Sequence, residues 1–428
     1  MIKKIIIQPP IKIEGDIYLP GSKSITNRAL LLSAMSYGKT VLKNILYSDD
    51  VKYMLYALQK LGIKYILSKN NTFCKIYGQG KNFPINKNIT LFLGNAGTAV
   101  RSLLSVLSIK SNNIIITGDK RMQQRPIKHL IDALKQGNAK FKYLKQKNNV
   151  PIYIKGGFKG GIIFLNGSIS SQFLTGLLLA SPILKNNTQI LIQGNLVSKP
   201  YIDLTIQMMK DFGIKVINRN YKEFFITGNQ NYISPKKYFI EGDASSASYF
   251  LSAAAIKGGT VNVLGIGKNS IQGDIKFASI LEKMGAKITF GKNYIQCSKK
   301  ELHSIDMDLN DIPDAAMTIA ITALFAKGKT TIRNIYNWRV KETDRLYAMS
   351  HELKKVGAII TEGNDYLTII PPKKIPKVEI STYNDHRIAM CFSLLSLSGT
   401  PVIILNPKCI NKTFPDYFLK FYSICKYN

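Results

Sequence analysis

Apolar positions along the chain fall into two helical patterns that alternate. Six segments open on a turn of small or polar residues and run into an Ala/Leu-rich amphipathic stretch. They begin at Gly21, Gly94, Gly167, Gly242, Ile312 and Tyr383, separated by 73, 73, 75, 70 and 71 residues. A second set lies within the same period, beginning at Asp50, Arg125, Lys199, Gly273 and Glu342, with a shorter copy at Phe414. Its apolar residues recur at three and four, which predicts surface helices with one buried face. Between the helices stand β-branched runs such as Ile114–Thr117, Ile190–Gly194 and Thr260–Gly265, bounded by Gly and Asn and predicted as strands.

Each period therefore reads as strand-helix-strand-helix-strand-strand. A period above 50 residues is too long for the common solenoids, but one such unit can share a core with two others. Six units predict an α/β protein of two domains with three such units each and the first helices pointing inward. The first repeat opens at residue 21, so residues 1–20 are left over and match a strand missing from the short sixth unit. The expected domains are 21–240 and 1–20 plus 241–428, with the chain crossing near residues 20 and 240. Two crossings would form a hinge, and a cleft between the domains is the natural place for a ligand.

Composition narrows the class. The 428 residues are 45% hydrophobic and 20% charged, as in ordinary globular proteins. No apolar run is long enough to span a bilayer, and Gln8, Pro9 and Pro10 cut short the apolar start, so a cytoplasmic location is expected without a secretory signal. Five cysteines without a C-x-x-C predict reduced, packed thiols. Four histidines without metal spacing ask for no transition metal, and no cofactor is expected. The net charge of +33 is spread along the chain as lysine, whereas a nucleic-acid binder concentrates charge on one face. No nucleic-acid or membrane partner is expected, and the chain is expected to be a monomer.

Arginine is more informative. Nine arginines stand among fifty lysines, and seven of them (Arg28, Arg101, Arg121, Arg125, Arg339, Arg345 and Arg387) fall in or beside the repeat openings and their neighbouring loops. Their planar fork grips carboxylate and phosphate bidentately, as lysine cannot. Helix starts rich in Ser, Gly, Asn and Asp collect free N–H groups, and simple capping explains many of those residues, though not the cations beside them. Some of the seven arginines are expected to be structural ion pairs; Arg219 and Arg333 look incidental. Acid–base candidates are Asp243, Asp314, Asp385, Glu342 and Asp344. Phosphate-loop chemistry is disfavoured, because Gly38-Lys39-Thr40 and Gly328-Lys329-Thr330 lack the required earlier glycine, and both triplets read as turns into strands.

Ten blocks in one order carry a resemblance. They are LPGSKSITNRALLL (19–32), LGNAGTAVR (93–101), GDKRMQQRPI (118–127), SSQFLTGLL (170–178), VSKPYID (197–203), EGDASSASYFL (241–251), IPDAAMT (312–318), NIYNWRVKETDRL (334–346), YNDHRIAM (383–390) and KTFPDYF (412–418). With them the chain resembles the 5-enolpyruvylshikimate-3-phosphate synthase family of enolpyruvyl transferases from first strand to last helix, and the resemblance implies that family's α/β fold, a two-domain inverse α/β barrel of six βαβαββ repeats, three per domain. The resemblance implies transfer of the enolpyruvyl group of phosphoenolpyruvate to the 5-hydroxyl of shikimate 3-phosphate, with release of phosphate, in aromatic amino-acid biosynthesis. It implies phosphoshikimate contacts at Lys23, Ser24, Arg28, Ser170, Ser171, Gln172, Ser198, Tyr201, Asp314, Asn337 and Lys341. It implies phosphoenolpyruvate contacts at Lys23, Asn95, Gly97, Arg125, Gln172, Arg345, Arg387 and Lys412. Asp314 and Glu342 resemble the acid–base pair, with Asp314 as base, Glu342 as proton donor to C3, and Lys23 competing for part of that traffic.

One departure from the family pattern is Ser102, where proline is usual. Proline removes an N–H and fixes φ, so serine is expected to loosen the helix that carries Gly97 and Thr98, and to weaken inhibition by glyphosate. Two rivals stand beside this reading. The sister enzyme acting on UDP-N-acetylglucosamine carries a reactive cysteine in a first-domain loop, and the corresponding stretch, Ser111 to Pro126, has none. The other rival is a basic nucleic-acid-binding protein.

Overall fold

The computed structural model describes residues 3–83, 88–111 and 113–427. The chain divides into two compact units, one formed by residues 21–240 (the middle unit) and one by residues 1–20 with 241–428 (the terminal unit). The middle unit holds the helices α1 (Lys23–Met35), α2 (Asp49–Lys60), α3 (Gly97–Leu107), α4 (Lys128–Gln136), α5 (Ser171–Ala180) and α6 (Pro200–Asp211). The terminal unit holds α7 (Ala244–Lys257), α8 (Lys276–Lys283), α9 (Ala316–Thr322), α10 (Arg345–Lys355), α11 (His386–Ser393) and α12 (Tyr417–Ile424).

The odd-numbered helices are the six segment openings, and they differ from the expected amphipathic form. Every residue of α1 from Ile25 to Met35 is buried, as is every residue of α7 from Ala244 to Ile256 and all of α11. Leu30, Leu31 and Leu32 are consecutive and all inaccessible, so no face of α1 is left for water; each such burial contributes roughly 1.5–3 kcal/mol. The polar positions that suggested an exposed side are small hydroxyls, and these bond inside the core. Ser248 meets Thr318 at 2.8 Å and Ser252 meets Thr322 at 2.7 Å, tying α7 to α9. In the middle unit α5 presses Gly176 on α3, where an added Cβ would stand 2.4 Å from Ser105 Oγ and 2.9 Å from the Arg101 carbonyl. The even-numbered helices keep the expected single buried face; in α2 it comprises Asp50, Val51, Met54, Leu55, Ala57 and Leu58.

Each repeat closes a small mixed sheet. In the second repeat Asn88–Phe92 runs parallel to Asn113–Thr117, with Leu91 opposite Ile116. Parallel neighbours need a crossover, and α3 supplies it. Ile152–Gly156 then pairs antiparallel with Asn113–Thr117 on one side and with Lys140–Tyr143 on the other. The same order recurs in the third repeat and in the sheet built on Thr330–Arg333.

The first repeats of both units borrow their parallel strand. Tyr232–Ile233 and Lys237–Phe239, from the far end of the middle unit, lie parallel to Ser36–Lys43. In the terminal unit Gly15–Tyr18 lies parallel to Thr260–Leu264, and Lys4–Ile7 lies antiparallel to Val402–Leu405. The leftover N-terminal segment thus supplies three strands: one lies at the edge of the short sixth repeat, one joins Thr260–Leu264, and the short Lys12–Ile13 pairs antiparallel with Cys425–Lys426. One turn reading is corrected: Gly38-Lys39-Thr40 lies inside the strand Ser36–Lys43, while Gly328-Lys329-Thr330 does lead into Thr330–Arg333.

Candidate active site

In the terminal unit three carboxylates meet around one arginine. Arg345 is the first residue of α10, and its side chain is 1% exposed. Its Nη1 donates to Asp314 Oδ1 at 2.8 Å, its Nη2 to Glu342 Oε2 at 2.9 Å and its Nε to Asp385 Oδ2 at 2.8 Å. Asp314 lies just before α9 and also accepts from Arg387 Nη2 at 2.9 Å and from Lys341 Nζ at 3.3 Å. Arg387 Nη1 reaches the Tyr249 hydroxyl of α7 at 3.2 Å, and Lys412 Nζ lies 4.0 Å from Glu342 Oε1. Burial alone would push the Asp314 carboxyl up. Arg387, Lys341 and Arg345 together outweigh that and hold it well below the usual carboxylate range. Burial by itself would weaken the hold of Arg345 on its proton, but Asp385, Glu342 and Asp314 reverse the direction and raise it.

The sequence places these groups through local chemistry. Asp385 caps α11 by accepting from the Arg387 N–H at 2.9 Å, which turns Arg387 back towards Asp314. Trp338 donates from its indole N–H to the Pro313 carbonyl at 2.7 Å, fixing the residue before Asp314. Asn337, its neighbour, is buried. Asp344 caps α10 and pairs with Arg339, which also reaches Glu362, so Arg339 is one of the structural ion pairs. Asp243 caps α7 through the Ser246 N–H.

The middle unit presents a different electrostatic situation. Arg28 in α1 is buried, and its hydrogen bonds go to neutral oxygens: Thr205 Oγ1 at 2.9 Å, Thr175 Oγ1 at 3.3 Å and the Ser24 carbonyl at 3.0 Å. Burial is the main effect on its charge and lowers its pKa to about 10. Thr205 in turn donates to the Tyr201 carbonyl at 2.7 Å, and the Tyr201 N–H donates to the Ser198 carbonyl at 3.1 Å. Ser198 itself is held at φ 54°. One chain of contacts therefore collects Ser24, Arg28, Tyr201 and Ser198.

Beside it, Gln172 of α5 accepts from Arg101 Nη1 at 3.0 Å and donates to Thr98 Oγ1 at 3.4 Å. Arg125 Nη1 donates to Asn95 Oδ1 at 2.9 Å. Gly97 opens α3 between these two guanidinium groups: an added Cβ would stand 2.5 Å from Arg101 Nη1 and 2.9 Å from Arg125 Nη2. Lys23 Nζ lies 3.3 Å from Asp50 Oδ2, both nearly buried. Ser170 caps α5 through the Gln172 N–H, with Ser171 buried next to it.

Sequence reasoning did not single out Asp50, Tyr249, Thr175, Thr205 or Trp338. Asp50 had a usable signal, since it stands at the start of α2 within the first repeat, as Lys23 does at the start of α1. The two threonines had none, being ordinary residues of helix interiors. Arg219 and Arg333 pair with Glu223 and Asp306 at the surface, apart from both clusters. The five cysteines are free and buried. Among the described residues no three His, Cys, Asp or Glu side chains are grouped to hold a metal ion, and no helix is long and apolar enough to cross a membrane.

The chain as a whole is similar to known proteins. A family model described as EPSP synthase (3-phosphoshikimate 1-carboxyvinyltransferase) matches residues 7–421. The 3-phosphoshikimate 1-carboxyvinyltransferase of Buchnera aphidicola subsp. Schizaphis graminum is 61% identical over the full length of both chains. That of Cronobacter sakazakii is 59% identical over 99% of each. The solved EPSP synthase of Acinetobacter baumannii aligns with a TM-score of 0.82 at 26% identity over 99% of both chains. The enolpyruvyl transferase NikO of Streptomyces tendae aligns at 0.78, covering 99% of this chain and 97% of its own; at 13% identity that likeness is one of fold.

Proposed function

We propose a mechanism from the premise that the chain belongs to the EPSP synthase, or 3-phosphoshikimate 1-carboxyvinyltransferase, family: it transfers the enolpyruvyl group of phosphoenolpyruvate to shikimate 3-phosphate in the shikimate pathway. The substrate oxygen of the 5-hydroxyl attacks C2 of phosphoenolpyruvate while C3 takes a proton, giving a tetrahedral adduct with a methyl group. That methyl then returns a proton as the C–O bond to phosphate breaks, and phosphate leaves.

The two substrates bring two phosphates and two carboxylates together. Like charges 4 Å apart repel by about 4 kcal/mol at an effective dielectric near 20, so several cations must offset them. Arg28 is suited to the shikimate phosphate, because it is a buried cation bonded to neutral oxygens. Lys23, Ser24, Ser170, Ser171, Gln172, Ser198, Tyr201, Asn337 and Lys341 are assigned to the same substrate. Phosphoenolpyruvate is assigned to Lys23, Asn95, Gly97, Arg125, Gln172, Arg345, Arg387 and Lys412.

The observation that carries the mechanism is the junction at Asp314, one carboxylate gripped by Arg345, Arg387 and Lys341. Held so, Asp314 is ionised but a weak base. The carboxylate and phosphate of phosphoenolpyruvate compete for Arg345 and Arg387. As those cations turn to the substrate, Asp314 loses stabilisation and its basicity rises just when the 5-hydroxyl must give up its proton. Glu342, on the other side of Arg345, delivers the proton to C3, with Lys23 as the alternative donor. The passages at residues 20–21 and 240–241 are taken as a hinge; unchanged small-angle scattering on adding phosphoshikimate would count against that. The protein is further taken to be a cytoplasmic monomer, and a dimer mass by light scattering would remove the second half of that statement.

Asp314→Asn tests the assignment. It should lower kcat by about a thousandfold, within the range for loss of a general base. Phosphoshikimate binding, followed through the emission of Trp338, the sole tryptophan, should survive. Near-normal kcat would take Asp314 out of the chemistry.

A further inference from the structure

The turn that delivers Asp385 and Arg387 is strained, and its anchor lies outside the cluster described above. Tyr383 and Asn384 both have left-handed backbones, at φ 52° and 55°. That region is unfavourable for a tyrosine and persists only where neighbouring structure enforces it. The enforcing group is Glu352, a wholly buried carboxylate two turns along α10 from Arg345. Its Oε1 accepts from the Tyr383 hydroxyl at 2.8 Å, and its Oε2 accepts from the Ser381 N–H at 3.3 Å. Lys355 Nζ sits 2.9 Å from both oxygens and balances the buried charge. On the outer side of the turn, Asn406 Nδ2 donates to Asn384 Oδ1 at 3.2 Å.

Helix α10 therefore holds this turn at two points. Arg345, its first residue, grips the Asp385 carboxylate, and Glu352 grips Ser381 and Tyr383. We infer that Glu352 and Tyr383 are a positioning pair for the reaction: by pinning the left-handed turn they set the register of Asp385 and Arg387 against Arg345, and so the grip on phosphoenolpyruvate. Neither residue touches the reacting atoms in this account. An acid buried only for stability would need no partner on this turn, and Tyr383 and Asn384 would be free to relax to ordinary backbone. The inference rests on the assignment of Arg387 to phosphoenolpyruvate.

Steady-state kinetics of the full chain tests it. Glu352→Gln removes the charge, and Tyr383→Phe removes one hydroxyl from a partly exposed ring, so the second variant should fold normally even where the first is destabilised. Each is expected to raise KM for phosphoenolpyruvate about tenfold, with kcat and the KM for phosphoshikimate changed much less, as for lost positioning of a binding group. The double variant should be no worse than the worse single one, because both changes break one link. Arg387→Gln, measured alongside, must raise the same KM. If it does and Tyr383→Phe leaves both KM values within twofold of the parent, the positioning pair is overturned while the assignment of Arg387 stands. If Arg387→Gln leaves KM for phosphoenolpyruvate unchanged, the assignment fails and takes the inference with it.

Discussion

Two buried arginines show how much one side chain's surroundings decide. Arg28 lies among neutral oxygens and burial weakens its hold on its proton, whereas Arg345 lies among three carboxylates that strengthen it. The first is open to an anion; the second must be drawn from carboxylates it already holds. Asp314 shares the second situation, so its folded pKa is depressed and it stays ionised in the free enzyme down to the acid range. On the proposed mechanism its cations are shared with substrate in the ternary complex, and its pKa rises there. The acid limb of kcat, which reports the bound enzyme, should therefore lie at higher pH than the acid limb of kcat/KM; coincident limbs, or the reverse order, would contradict this. Asp274 shifts oppositely. Burial, aided by the charge of Asp314, pushes its carboxyl up from 3.8 to about 6, against the hydrogen bond from Ser245. A raised folded pKa contributes stability that is present below the unfolded value and lost as pH rises through about 6. Asp274→Asn should accordingly stabilise the fold at about pH 8 by up to about 3 kcal/mol, a gain that fades towards about pH 4. Urea unfolding of both proteins at the two pH values measures it, and an equal difference at both would rule the explanation out. At this scale the arginines were legible because they are scarce in a lysine-rich chain. Asp274 was not, because its behaviour comes from burial and from Asp314, forty residues away.

Among the elements, the twelve helices were legible from their periods, while the burial of Ile25 to Met35 in α1, of Ala244 to Ile256 in α7 and of all of α11 was not. Serine and threonine read as an exposed face until their hydroxyls are seen bonded to the next helix, as Ser248 is to Thr318. Capping accounted for Ser170, Asp243 and Asp344, as expected of residues at helix starts. The start of α3 is the most constrained of these sites. The nearest atoms to a methyl at Gly97 are the far ends of the Arg101 and Arg125 side chains, so Gly97→Ala should leave the fold intact and displace the guanidinium groups. KM for phosphoenolpyruvate should rise roughly tenfold, about 1.4 kcal/mol, and an unchanged KM would show that the turn does not face that substrate. Ser102 bears on the same helix. The expectation that it loosens α3 finds no irregularity, since the helix runs unbroken from Gly97 to Leu107 with Ser102 buried inside it. A proline there would lose its bond to the preceding turn and push on it. Ser102→Pro should thus shift the Gly97 turn and change the inhibition constant for glyphosate, and equal constants for the two proteins would dispose of the link.

For the whole molecule, the six-fold period carried the architecture, because each repeat buries nearly all of one helix and one face of another. What the period could not specify was how a chain that opens mid-repeat completes its sheets. The answer lies in the parallel strands Gly15–Tyr18 and Lys237–Phe239, which join their first repeats from distant positions in sequence. The lysine excess is not concentrated in either cluster: among the described residues of the two together, arginines outnumber the lysines Lys23, Lys341 and Lys412. The account's central claim is that these arginines and Asp314 serve one reaction on one pair of anions. Its most direct test is phosphate release from phosphoenolpyruvate with shikimate 3-phosphate or with UDP-N-acetylglucosamine as acceptor, for the parent and Asp314→Asn proteins. The prediction is release with shikimate 3-phosphate alone, nearly abolished by the substitution; release with the nucleotide sugar, or undiminished release by the variant, would contradict it.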